Sequence, residues 1–174
     1  MTPAFQRTLE GPRADCFEAC LASLLNLPTE AIPLFGHDPD AEPGQWIQDF
    51  NRWLAAFRLG LIAIGATTNP EVMQAWPEAY CILAGDSTSP LGGRHAVVGR
   101  VVHAAGATRL DLVHDPFLTP EEREDNRAIL GDAGFLPGLR GGPADWLIFF
   151  LVATEVRSPA QVQAEKRAAA GVPA

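Results

Sequence analysis

Cysteine is scarce in this chain: three residues, an odd number, with no Cys-x2-Cys pair. That spacing excludes a disulfide framework and a zinc-ribbon type of metal site. Basic residues are also in the minority, 13 against 21 acidic ones, for a net charge of −8. A chain so acidic is not built to neutralise phosphates, which argues against nucleic acid as its main partner. No apolar run approaches the roughly 18 residues of a membrane span. The opening residues, Met1-Thr2-Pro3-Ala4-Phe5-Gln6-Arg7, lack the apolar core of a signal peptide. Neither a membrane partner nor a metal or organic cofactor is expected. A reducing cytoplasm is the expected compartment, and it would keep the thiols free.

What the chain does contain is apolar bulk. Hydrophobic residues make up 47% and charged residues 20% of 174 positions, enough for one globular core. The expectation is a single domain over residues 1–156. Residues 157–174, rich in Ala, Gln and Lys without an apolar face, should be a helical or disordered tail.

The stretch that organises the rest is Asp15-Cys16-Phe17-Glu18-Ala19-Cys20-Leu21-Ala22. Gly11-Pro12-Arg13 breaks the backbone before it. Asp15 stands where a helix N-cap would stand, with Glu18 three residues on, which is a capping-box arrangement. Good helix formers follow as far as Asn26. Cys16 therefore falls in the first turn, where free amides and the helix dipole favour an anion. The thiolate is the nucleophilic form of cysteine. The plainer alternative is that Cys16 is one more small core residue of an apolar helix. Cys20, one turn further on, reads as packing, and a bridge between the two would have poor geometry.

A Pro- and Gly-rich irregular loop is expected over 28–44. Within it His37-Asp38-Pro39-Asp40 reads as a solvated acidic loop rather than a metal cluster. A second helix should run over 45–57, with Trp46, Phe50, Trp53, Leu54 and Phe57 at helical spacing and Gly60 as its stop. Leu61 to Ile64 reads as a short strand, and Asn69-Pro70-Glu71 opens a short helix to Ala75. The second half reads as sheet: strands over 80–84, 95–102, 108–115 and 146–153, with a loop over 85–94 and a helix over 120–130 inside a long loop. The apolar run 146–153 should be a central strand. The fold class expected is α+β, with the first helix packed on an antiparallel sheet.

Pairing 95–102 with 108–115 through a turn over 104–107 sets His95 nearly opposite Asp115. Facing residues have Cβ atoms about 5 Å apart, within reach of an imidazole–carboxylate hydrogen bond. A thiol, an imidazole to take its proton and a third group to hold the imidazole are the parts of a nucleophilic thiol enzyme. Each part has a plainer reading too. His95 would cap a strand, and Asp115-Pro116 would open a turn. His114 should face away from Asp115 because strand side chains alternate, and His103 belongs to the hairpin tip.

Three segments carry a resemblance: Asp15-Cys16-Phe17-Glu18-Ala19-Cys20-Leu21-Ala22, His95-Ala96-Val97-Val98-Gly99 and Leu112-Val113-His114-Asp115-Pro116. In this order, over about residues 6–116, they resemble the papain-like cysteine peptidases. The nearest group is the one related to bacteriocin-processing peptidases. They are also similar to small uncharacterised proteins encoded by phages and prophages. The resemblance implies a papain-like fold, Cys16 as nucleophile, His95 as base, Asp115 as orienter and Gln6 as an oxyanion donor. Phe17 stands where that family has glycine, so a side chain narrows the pocket there. The implied function is a thiol hydrolase or acyltransferase acting on a peptide, a protein or a small amide, isopeptide or thioester. The alternative is a phage-encoded binding protein on the same fold that performs no turnover, placed in the host cytoplasm.

Overall fold

The computed structural model describes residues 1–8, 15–35, 42, 44–65, 78–87, 93–104, 107–117, 139 and 145–154. The expected helices over 69–75 and 120–130, residues 88–92 of the loop expected over 85–94, the His37–Asp40 cluster and the tail from 157 lie outside them. Among the described residues two α-helices, α1 (Cys16–Leu25) and α2 (Gln45–Leu54), accompany five strands: β1 (Leu59–Gly65), β2 (Tyr80–Asp86), β3 (Arg94–Ala104), β4 (Ala107–His114) and β5 (Leu147–Ala153). The strands form one sheet in the order β1-β5-β2-β3-β4, every neighbouring pair antiparallel. The class is α+β.

The central strands are apolar on both faces, as the composition of 146–153 demands. Ile82, Ala96, Val98 and Phe149 join Cys20, Leu21, Ala22, Phe50 and Leu54 of the helices in one cluster. The alternate residues Cys81, Leu83, Val97, Val101, Ile148 and Phe150 join Leu139 and Trp146 in a second cluster on the other side. The period of two along each strand divides the core into these layers. α1 packs on β3 and β2, and α2 packs on β1. Asn51 of α2 fastens that last contact, its amide donating to the Leu61 carbonyl at 3.3 Å and its oxygen accepting from the Leu61 N–H.

Several sequence expectations are corrected. The strand expected over 61–64 is longer and belongs to the main sheet, at its edge beside β5. α2 stops at Leu54 and passes through a 3-10 turn (Ala55–Phe57). The chain reverses at Arg58, with φ 58°, and Gly60 lies inside β1 instead of ending the helix. β2 runs through Asp86, so the loop after it starts later than Gly85. Asp15 does precede α1, but its side chain makes no cap hydrogen bond. The capping box fails because that carboxylate is engaged elsewhere.

That engagement holds the N-terminal segment. Asp15 is 1% exposed. Its Oδ1 accepts from the backbone N–H of Arg7 and of Thr8, both at 3.0 Å, and its Oδ2 from Arg7 Nε at 2.7 Å. Further back, the Ala4 N–H donates to Ser23 Oγ at 2.9 Å, and Thr29 Oγ1 donates to the Phe5 carbonyl at 3.0 Å. Residues 4–8 thus lie against α1 and the turn that follows it.

Gly99 is required by close approach. A Cβ there would stand 2.7 Å from Leu83 Cδ1 and 3.3 Å from Cys81 Sγ. Gly99→Ala should therefore overpack the β2–β3 layer and lower stability by about 1–3 kcal/mol, measured by urea unfolding.

Candidate active site

Cys16 is the first residue of α1, and His95 is the second residue of β3. The imidazole is 6% exposed and is held by two groups. Its Nε2 lies 2.8 Å from Asp115 Oδ1, and the Cys16 thiol lies within hydrogen-bonding reach of the ring. The carboxylate takes Nε2, so Nδ1 is the nitrogen left for the thiol. Asp115 is itself oriented: the Phe117 N–H donates to the same Oδ1 at 3.0 Å, closing a turn of the Asx kind. The Phe117 ring stands edge-on to His95 at 6.0 Å between centroids.

His95 and Asp115 come together by a different route from direct pairing. The observed ladder joins Ala104 to Ala107 and Gly99 to Leu112, one residue out of the expected register. Continued unbroken, it would set Asp115 opposite Ala96, on the other face of the strand from His95. A β-bulge intervenes between Gly99 and Val98, leaving Val113 unpaired and pairing Val98 with His114. A one-residue slip transfers every following side chain to the other face. Asp115 thereby falls on the side of Val97 and His95, and the two meet diagonally. The same slip turns His114 the other way. Its Nε2 donates to the Ala4 carbonyl at 2.7 Å, with its ring edge-on to Phe5.

The imidazole proton is held firmly. Burial lowers the pKa of His95, but the Asp115 hydrogen bond and then the Cys16 thiol raise it further, to about 9. The ring is therefore an imidazolium at neutral pH. The other two thiols differ. Burial pushes Cys20 well up, with Cys16 and Asp115 adding to the effect, and burial pushes Cys81 up to about 12. Both are buried and free of disulfides, whereas Cys16 is partly exposed.

Gln6 occupies a place beside Asp115 rather than in the cavity. Its backbone N–H donates to the Pro116 carbonyl at 2.9 Å, and its side-chain Nε2 donates to the Thr8 carbonyl at 3.1 Å. Its Oε1 is buried without a partner. The Gln6 backbone thus steadies the turn that carries Asp115.

A cavity of ≈ 190 Å³ opens beside Cys16 and His95. Phe17, Phe35, Trp46, Phe50, Ala84, Ala96, Arg94 and Glu18 complete its lining. Phe17, Trp46, Phe50 and Phe149 pack ring to ring, Phe17 standing 5.1 Å from Trp46 and 5.0 Å from Phe149. Sequence reasoning took the α2 stripe as core alone, and it took Glu18, which is 2% exposed, as half of a capping box and not as part of a cavity lining. The legible signal was an acidic residue inside an otherwise apolar helical run. Among the described residues no group of three or more His, Cys, Asp or Glu side chains is placed to hold a metal ion. Among them, too, no helix is long and apolar enough to cross a membrane.

Set against known proteins, the chain matches no protein-family model, no curated protein and no solved structure.

Three measurements check this geometry. Brief, substoichiometric iodoacetamide at pH 7 should label Cys16 and spare Cys20 and Cys81, as read by peptide mass mapping. The His95 ring protons should titrate near pH 9 in an NMR experiment. In Asp115→Asn the midpoint should fall by more than one unit, because burial is then opposed by the thiol alone. The folded value lies above the ordinary 6.5 or so of an unfolded histidine, so the fold gains from protonation. That contribution is complete below about pH 6.5 and disappears as pH rises through 9. Thermal stability should fall over that window in the wild type and fall less in His95→Gln.

Proposed function

We propose that this protein is a thiol hydrolase or acyltransferase whose nucleophile is Cys16, on a fold of the papain-like kind. The observation that carries the reading is one imidazole bridging a helix-start thiol and an oriented carboxylate at 2.8 Å. Substrates of this chemistry are amides, isopeptides or thioesters, in a peptide, a protein or a small molecule.

The steps balance without a cofactor. In the reacting state the proton of Cys16 is already on His95 Nδ1, the ring being the imidazolium, and the sulfur attacks the substrate carbonyl as the thiolate. Negative charge gathers on the carbonyl oxygen, next to the first turn of α1, whose amides receive no cap from Asp15. The Cys16 N–H is the donor in reach of that oxygen. Collapse breaks the bond to the leaving group, which departs with the proton from His95, and an acyl-thioester remains on Cys16. Water or an acceptor amine then gives its proton to His95 and attacks the thioester. The C–S bond breaks and the thiol re-forms. Asp115 holds the ring and stabilises the imidazolium through both halves.

Cys16→Ala should abolish turnover, by three or more orders of magnitude, while costing the fold no more than about 1–2 kcal/mol. Asp115→Asn should cost less, because it removes the orientation of His95 and leaves the nucleophile. The Cys16→Ala protein should retain substrate from a lysate, and that substrate then serves to assay both variants. Full biological effect in Cys16→Ala would discard the enzyme reading in favour of a binding protein.

A further inference from the structure

Among the described residues the sheet ends on β1 at one side and on β4 at the other. The two edges are finished differently. On β1 the Asn51 amide of α2 engages both the N–H and the carbonyl of Leu61, so a side chain stands where a further strand would pair. On β4 the N-terminal segment reaches only the far end, where the Gln6 N–H donates to the Pro116 carbonyl beyond the bulge at Val113. The stretch from Thr108 to Leu112 lies before that bulge, in regular pairing with β3. Among the described residues no strand pairs with its outer side. The direction of its backbone follows from β3. The Val101 N–H donates to the Ala79 carbonyl, on the β2 side, at 2.9 Å. Successive residues of an antiparallel strand turn their N–H and C=O groups to opposite neighbours. Arg100 and Val102 therefore turn theirs to β4, where they pair with Asp111 and Arg109. Thr108, Leu110 and Leu112 are left with backbone groups facing outward, a template for another strand.

We propose that this edge pairs with the same edge of a second copy of the chain, antiparallel about a two-fold axis at Leu110. Leu110 then meets Leu110 of the second copy, and Thr108 meets Leu112, with the outward backbone groups of all three bonded across the axis. Between them Arg109 stands opposite Asp111 of the second copy, once on each side of the axis. Charge selects this register. The outward backbone groups meet again only when one copy slides by two residues. Sliding one way sets Arg109 opposite Arg109, and sliding the other way sets Asp111 opposite Asp111. Opposite charges directly across a strand pair stabilise it, and like charges destabilise it. The charge pattern continues into the sheet. Asp111 pairs across the ladder with Arg100, which is 2.9 Å from Glu78. Arg109 of the second copy extends that row of alternating sign. On the other face, Leu110 and Leu112 are partly buried against the second core cluster, and Leu110 of the second copy continues that apolar layer. The contact is isologous, so it closes at two copies and leaves β4 with no open edge.

The test is sedimentation equilibrium of the full chain in low salt. Over about 1–100 μM the wild type should pass from the mass of one chain to that of two, as a small interface predicts. Arg109→Asp and Asp111→Arg should each weaken association about tenfold or more, because each sets like charges opposite one another. An equimolar mixture of the two variants restores both opposite pairs and should dimerise as the wild type does. Leu110→Pro removes an N–H that faces outward and spares the ladder to β3, a place where an edge strand tolerates proline. It should abolish the dimer while the circular dichroism of the sheet is kept. A wild type of single-chain mass at every concentration overturns the proposal. A dimer that survives both charge variants lies on another surface and overturns it too. Loss in the single variants without recovery in the mixture overturns the register. If either charge variant fails to fold by circular dichroism, Leu110→Pro decides, and a dimer retained in it rejects the β4 edge.

Discussion

The buried carboxylate of Asp15 is the constraint on which the site depends. A carboxylate with 1% exposure is tolerable only when hydrogen-bonded, and among the described residues Arg7 and Thr8 supply its bonds. The residue just before the nucleophile is thus tied to the N-terminal segment. That segment is tied in turn to the far end of β4, through the Gln6 N–H on the Pro116 carbonyl and His114 on the Ala4 carbonyl. Cys16 and Asp115 stand 99 positions apart in the chain, yet residues 4–8 bridge the segments that carry them. His95 sits between them on β3 and needs both ends fixed for its two nitrogens to be engaged at once.

Using Asp15 in this way leaves the first turn of α1 without its side-chain cap. In an ordinary helix that loss costs on the order of 1 kcal/mol. Here three charge-assisted or backbone bonds replace the cap, and the first-turn amides beside Cys16 stay uncapped. A site that must stabilise transient negative charge benefits from donors that nothing in the resting protein's cap claims. The price in helix stability is met by the packing of α1 on β2 and β3, where Cys20, Leu21 and Ala22 are fully buried.

The aromatic residues serve two purposes that a periodic pattern does not separate. Phe50 and Leu54 of α2 are buried core. Trp46, on the same face, is half-buried and forms a wall of the cavity beside the thiol. Whether a ring in such a stripe packs or lines a cavity depends on what lies opposite it. Opposite Trp46 and Phe17 the sheet carries the Ala84–Ala96 pair, and a larger pair there would have made the same rings ordinary core.

Local signals in the sequence determined the elements: Cys16 at the start of an apolar helix, an amphipathic second helix, a hairpin carrying His95 and Asp115 on neighbouring strands, and an apolar strand over 146–153 with two buried faces. These follow from short-range physics, from periodicity, helix propensity and turn residues. The tertiary structure alone decided how those groups meet. The register of β3 against β4 is set by a bulge at Val113, and no local preference announces an extra unpaired residue. The role of Asp15 was read as a cap because Asp before a helix ordinarily caps it, whereas a strap eight residues upstream took the carboxylate. Gln6 was placed at the oxyanion by resemblance, and only the folded chain shows its side-chain amide donating to the Thr8 carbonyl. Partners distant in sequence are chosen by packing and by the need to satisfy every buried polar group, and those conditions exist only once the chain has closed on itself.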